Sequence, residues 1–143
     1  MKYVFYSPGE DLTQALAVRY AVFVEEQGFS ADTERDDIDA GAHHLLALDR
    51  GRGVATGRLF PDPDKPGTYI IGRVAVLREY RGTGLGRRIM EAMEQKAKEM
   101  GASRVTLGAQ LQAKPFYEKN GYRPLGDVYM DEHCPHEHME KLL

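Results

Sequence analysis

Residues 74–88 read Val74-Ala75-Val76-Leu77-Arg78-Glu79-Tyr80-Arg81-Gly82-Thr83-Gly84-Leu85-Gly86-Arg87-Arg88. An apolar strand end runs into a glycine-rich turn, and the turn opens straight into a helix. Glycines let the backbone curl around a ligand with no Cβ in the way. The N–H groups of such a turn and of the helix start point at one spot, which makes an anion site. Arginines beside it add charge-assisted bonds to phosphate. The stretch therefore implies a phosphate-bearing ligand, with a bare structural turn as the alternative. Two common phosphate motifs fail on spacing. No lysine follows the glycines as a P-loop requires. Gly84 and Gly86 supply the first pair of a dinucleotide fingerprint, but Ile89 stands where its third glycine belongs.

Outward from this turn, the pattern predicts further elements. Before it, Thr68 to Val76 is β-rich and almost wholly apolar towards its end, as in a central strand buried on both faces. After it, Leu85, Ile89, Met93, Ala97 and Met100 form the stripe of a helix that Gly101 stops. Lys2 to Tyr6 alternates as a short strand, and Leu12, Leu16, Tyr20 and Phe23 give helical spacing from Asp11 to about Glu26. Ser30 to Gly41 reads as an acidic loop. His44 to Asp49 and Val54 to Phe60 read as a hairpin, and Pro61 to Gly67 as a proline-fixed loop. Arg104 to Leu107, Tyr122 to Tyr129 and about His136 to Leu143 supply strands, with a short helix over Ala113 to Asn120. The sum is an α/β (α+β) chain, with a mixed, mostly antiparallel sheet flanked by helices and one strand–helix–strand unit from Thr68 to Leu107.

The chain has 143 residues, one domain's worth, so residues 1–143 are read as a single unit. At 42% hydrophobic and 29% charged it reads as soluble and globular, with no apolar run near the ~20 residues of a membrane span. The N-terminus lacks a secretory pattern, and the single Cys134 excludes an internal disulfide, so a cytoplasmic setting is expected. A net charge of −3 argues against a nucleic-acid partner. The charge is unevenly placed. Arg73 to Arg88 holds five arginines against Glu79, a balance of +4, while Glu25 to Asp39 holds seven acids against Arg35, a balance of −6. The acidic run reads first as a solvated loop, and otherwise as a guide for a cationic ligand.

Arg81-Gly82-Thr83-Gly84-Leu85-Gly86 resembles the Arg/Gln-x-x-Gly-x-Gly/Ala signature of the GNAT superfamily of N-acetyltransferases, whose turn holds the pyrophosphate of acetyl-CoA. Phe116-Tyr117-Glu118-Lys119-Asn120-Gly121-Tyr122 is similar to the family's Phe-Tyr-x-x-x-Gly-Phe/Tyr segment. More narrowly, Arg19 to Gln27, Ile71 to Val74, Leu107 to Gln110, and Pro135-His136 followed by Met139 resemble the ElaA-like branch of small bacterial GNAT proteins.

The resemblance implies transfer of acetyl from acetyl-CoA, a co-substrate, to a primary amine of a small molecule or peptide in a ternary complex. It implies that Val74, Ala75 and Val76 pair with the pantetheine arm and that a backbone N–H there holds the oxyanion. Arg81 and the amides of Gly82, Thr83, Gly84, Leu85 and Gly86 would take the pyrophosphate, with Arg87 and Arg88 beside them. Gln110 would contact the cofactor arm. Tyr117 matches a general acid for the leaving thiolate, or else packs with its hydroxyl bonded to backbone. His136 matches a base, since imidazole titrates near neutrality, with Glu26 and Glu79 behind it. Arg19 and Arg73 suit an acidic acceptor and the acidic loop a basic one, so the two hints oppose each other. The alternative of a different class is a CoA-binding sensor that has lost catalysis; a nucleotide-binding or kinase-like reading lacks its lysine and metal-binding acids. His133, Cys134, His136 and His138 invite a zinc reading, but strand alternation sends His133 away from the other two histidines, so no metal is expected. Cys134 as an acyl carrier has no neighbour to lower its pKa. Partners are therefore the amine acceptor and, as many chains of this fold form dimers, a second copy.

Overall fold

The computed structural model describes residues 1–143. Seven strands, β1 (Lys2–Tyr6), β2 (His43–Asp49), β3 (Arg52–Pro61), β4 (Thr68–Val76), β5 (Arg104–Gln110), β6 (Arg123–Asp131) and β7 (Cys134–Leu142), form one sheet in the order β1-β2-β3-β4-β5-β7-β6. Every neighbouring pair is antiparallel except β4 and β5, which are parallel. That one parallel pair needs a long crossover, and the crossover is helix α3 (Leu85–Glu99). Helices α1 (Thr13–Arg19), α2 (Ala31–Glu34) and α4 (Lys114–Lys119) complete the set. No helix is long and apolar enough to cross a membrane.

The core lies between the sheet and the apolar faces of α1 and α3. Leu85, Ile89, Met93 and Ala97 are buried as their spacing predicts, joined by Met90, whereas Met100 is only half-buried. Each such large side chain contributes roughly 1.5–3 kcal/mol on leaving water. Gly57 on β3 sets how closely α3 approaches: a Cβ there would fall 2.5 Å from Met93 Cε.

The expected boundaries shift by a residue or two at several element ends, and the larger differences are these. The helix from Asp11 does not stay α: from Tyr20 to Glu26 it widens to a π-helix, so that the Gln27 N–H reaches the Val22 carbonyl. The acidic Ser30–Gly41 segment is not a solvated loop, since it folds into α2 and a 3-10 turn at Asp39–Gly41, with Glu34 and Asp39 buried. β5 runs on to Gln110 because it pairs with β7 from Arg104–Leu142 to Gln110–His136, and β7 starts earlier because Cys134 and Pro135 pair with β6. β4 is buried only at Thr68, Ile71 and Ala75, not on both faces throughout.

The β4 discrepancy has a structural cause. β4 and β5 pair only from Thr68–Arg104 to Ile70–Thr106, after which they part. On its other edge β4 slips register against β3 between Thr56 and Arg58. Within that bulge Arg73 sits at φ 52°, in the left-handed region. A bulge bends its strand, and this one carries the last residues of β4 away from β5. The wedge between the strands is the centre of the site.

Candidate active site in the split sheet

The wedge opens into a cavity of about 880 Å³. Val74, Ala75 and Val76 form one wall, Leu107, Gly108 and Gln110 the other, and Gly82, Gly84, Leu85, Gly86, Phe116 and Tyr117 close one end. At the opposite end stand Phe29, Phe60, Arg73, Tyr129, Asp131 and His136.

At the glycine turn, none of the six backbone N–H groups from Gly82 to Arg87 donates a hydrogen bond within the protein. The first internal bond of α3 is Arg88 N–H to the Gly84 carbonyl. Gly82 and Gly84 take φ of 77° and 83°, and a Cβ on either would meet no atom within 4 Å. The turn is therefore a concave set of free donors, and its donor set fits a pyrophosphate. Gly86 serves packing instead, because a Cβ there would lie 3.2 Å from the Phe116 ring.

The side chains around this turn are less free than the sequence implies. Arg81 lines the cavity, but it is held by Glu26 at 2.6 and 2.7 Å and by the Val76 carbonyl at 3.0 Å. Hydrogen bonding from Arg81 outweighs burial and lowers the Glu26 pKa. Glu26 lies outside the cavity lining, so neither a role as base nor, as part of the acidic run, contact with a basic acceptor has a geometric basis. Thr83 also lies outside it, its hydroxyl donating to the Tyr80 carbonyl at 2.6 Å. Arg87 reaches the cavity rim and pairs with Glu91 at 2.7 Å. Gln110 lines the cavity and donates to Gln27 at 2.8 Å across its floor.

Tyr117 and His136 each offer the cavity an unused polar atom. The Tyr117 ring packs edge-on between Phe116 and Tyr122. Its hydroxyl makes no hydrogen bond within the protein, and burial alone pushes its pKa up to about 12. It is not bonded to backbone. The second is His136, 8% exposed, whose Nδ1 lies 2.9 Å from the Cys134 carbonyl. A carbonyl only accepts, so Nδ1 carries a proton, and in the neutral ring Nε2 presents a lone pair. The ring stacks on Tyr129 with centroids 5.5 Å apart. Both Tyr117 and His136 line the one cavity.

Arg19 is not a cavity residue, which corrects its assignment as an acceptor ligand. It is 1% exposed, and donates to Glu34 at 3.0 and 3.1 Å, to Asp39 at 2.7 and 3.1 Å and to the Glu34 carbonyl at 2.8 Å. Arg58 joins from β3, bonding Asp36 at 2.6 Å and Asp39 at 2.9 Å. Arg73 does line the cavity, yet pairs with Glu34 at 2.9 Å and Asp36 at 3.4 Å. Three guanidinium groups thus meet three carboxylates. Burial raises the Asp39 pKa, but hydrogen bonds and charge from Arg19, together with Arg58, outweigh it and hold the group well below the usual carboxylate range.

Arg58 and Tyr129 were missed as cavity residues. Arg58 had a signal: a charge inside the apolar run Val54–Phe60 needs a buried partner. Tyr129 was marked by Gly108, where a Cβ would fall 2.0 Å from the Tyr129 hydroxyl, but that relation links two strands far apart in sequence. No three or more His, Cys, Asp or Glu side chains gather as metal ligands, and burial pushes the Cys134 thiol up.

A sheet split beside a glycine-turned helix start, with the crossover helix behind it, defines the fold of the acyl-CoA N-acyltransferases. Residues 11–143 match the family described as Acetyltransferase (GNAT) domain, and the chain belongs to that family. It is 39% identical over 142 residues to the uncharacterized N-acetyltransferase YjcF of Bacillus subtilis, covering 99% of each chain. It is 32% identical over 123 residues to protein ElaA of Escherichia coli, covering 85% of this chain and 80% of that one. The crystal structure of Escherichia coli ElaA superposes with a TM-score of 0.87 at 28% identity, covering 98% of each chain. That of an acyl-CoA N-acyltransferase from Pseudomonas aeruginosa gives 0.86 at 29% identity, covering 99% of each. Within the family the chain falls with the ElaA-like proteins.

Proposed function

We propose that the protein moves acetyl from acetyl-CoA to a primary amine by direct attack in a ternary complex. One observation carries the reading: the unbonded Tyr117 hydroxyl and the unbonded Nε2 of His136 open into the same cavity, whose end is the free-amide turn Gly82–Arg87. The turn amides take the pyrophosphate, and the free edge of β4 from Ile71 to Val76 pairs with the pantetheine arm. A backbone N–H in the Val74–Val76 stretch holds the carbonyl oxygen as charge develops on it. The amine nitrogen bonds the acetyl carbon while the carbon–sulfur bond breaks. His136 Nε2 accepts the proton of the amine, and Tyr117 supplies a proton to the departing thiolate. A phenol with its pKa near 12 holds that proton throughout the neutral range.

Tyr117→Phe tests this against a binding module without catalysis. An enzyme loses turnover by about 10²-fold or more, measured as CoA release with an amine library, while the calorimetric Kd for acetyl-CoA stays within about twofold. Absence of acetyl-CoA binding by the unaltered protein overturns the reading. Binding without turnover on any amine supports the sensor.

A further inference from the structure

The charges at the end of the cavity away from the glycine turn do not cancel. Of the groups there, Arg73, Arg58 and Glu34 belong to the three-against-three buried network and neutralise one another. Two carboxylates at the same end, Asp131 and Glu132 at the tip of the β6–β7 hairpin, have no cationic partner. Glu132 accepts from the Ser30 N–H at 3.0 Å and the Thr33 hydroxyl at 2.9 Å, both neutral, and Asp131 accepts from nothing. His136 stands at the same end, two residues along β7 from the Cys134 that pairs with Asp131, more than nine-tenths buried, lining the cavity and with Nε2 unpartnered. Phe29, Phe60 and Ile70 give the space between a hydrocarbon lining.

We infer that the acceptor is a dicationic aliphatic amine, a diamine or polyamine, with one nitrogen at His136 and the other, still protonated, held by Asp131 and Glu132. This rests on the transferase reading and narrows its acceptor. The arginines that pointed to an acidic acceptor and the acids of 25–39 that pointed to a basic one are paired with each other, so the unpaired charge at this end is that of Asp131 and Glu132. The apolar lining takes the methylene spacer, and the exposed hairpin tip supplies the charge. A carboxylate-bearing acceptor brings its negative charge against Asp131 and is disfavoured.

The test compares 1,4-diaminobutane, spermidine, n-butylamine and 4-aminobutyrate as acceptors in acetyl-CoA turnover, read as acetylated product by mass spectrometry. Exposed ion pairs are each worth ~0.2–1 kcal/mol, a factor of about 1.4 to 5. The diamines are expected to exceed butylamine in kcat/KM by about fivefold at low salt, and 4-aminobutyrate to fall below it. Asp131→Asn with Glu132→Gln should collapse the ratio of diamine to butylamine towards one, and added salt should shrink it in the unaltered protein. Equal or better turnover of butylamine or 4-aminobutyrate overturns this inference and leaves the transferase standing. Turnover with no amine, despite acetyl-CoA binding, overturns both.

Discussion

Replacing Arg19 with methionine keeps most of the hydrocarbon volume and removes the guanidinium. The loss is five hydrogen bonds at 2.7–3.1 Å to Glu34 and Asp39. Glu34 keeps Arg73 at 2.9 Å, and Asp39 keeps Arg58 at 2.9 Å. The cluster falls from three cations against three anions to two against three, which strands one buried negative charge. Breaking such a pair from one side costs about 3–5 kcal/mol. For a chain of 143 residues that lowers Tm by about 10 °C, at roughly 3 °C per kcal/mol. Urea unfolding followed by circular dichroism measures it. Adding Glu34→Gln removes the stranded charge, so the double variant should recover part of the loss, and the non-additivity is the signature of a shared network. A loss under about 1 kcal/mol for Arg19→Met refutes the reasoning. So does unaltered stability with a raised acceptor KM, which is what an acceptor ligand would give.

Glu26→Gln releases Arg81 from its carboxylate partner, so acetyl-CoA should bind about two- to fivefold tighter by calorimetry at low salt. An unchanged or weaker Kd means that Glu26 orients Arg81 rather than competing for it. Gly108→Ala puts a Cβ 2.0 Å from the Tyr129 hydroxyl and should cost about 1 kcal/mol or more in urea unfolding. Gly108→Ala with Tyr129→Phe should recover most of that, and no recovery places the strain elsewhere. Stability against pH should fall in two steps. Burial lowers the His44 pKa, so the unfolded chain takes up that proton first, and stability present above about pH 6.5 declines below it. Asp36 and Asp39 are held below their ordinary values by Arg58 and Arg19 despite burial, so their contribution, complete above about pH 4, is lost below it. A stability profile flat from pH 7 to pH 3.5 contradicts both signs.

The fold was legible because its signals are local. Three glycines at 82, 84 and 86, the stripe Leu85–Ile89–Met93–Ala97 and the hairpin around Arg50–Gly53 each announce an element within a dozen residues. The free amides of the turn followed from the same spacing, whereas Tyr117 and His136 were marked only by the family resemblance of residues 116–122 and of Pro135-His136. What escaped depends on contacts between distant segments. Whether the acids of 25–39 face water or arginine is decided by Arg19, Arg58 and Arg73, which come from one helix and two strands. Likewise, Arg81 looks like a free anion receptor in the sequence, and only packing of the first helical segment against the turn brings Glu26 to it.

The buried network and the cavity are parts of one device. Arg73 holds a left-handed φ of 52° that a side-chain-bearing residue avoids. Its guanidinium fixes that conformation by donating to the Glu34 carbonyl at 3.1 and 3.2 Å and pairing with the Glu34 and Asp36 carboxylates. Those carboxylates are in turn held by Arg19 and Arg58. The bulge at Arg73 is what turns the end of β4 from β5 and leaves a strand edge open for a ligand. The network therefore contributes more than stability: through Arg73 it supports the bulge beside which β4 and β5 part. Substitutions in it that leave a folded protein at low temperature should still reduce acetyl-CoA affinity, although Arg19 lies outside the cavity wall.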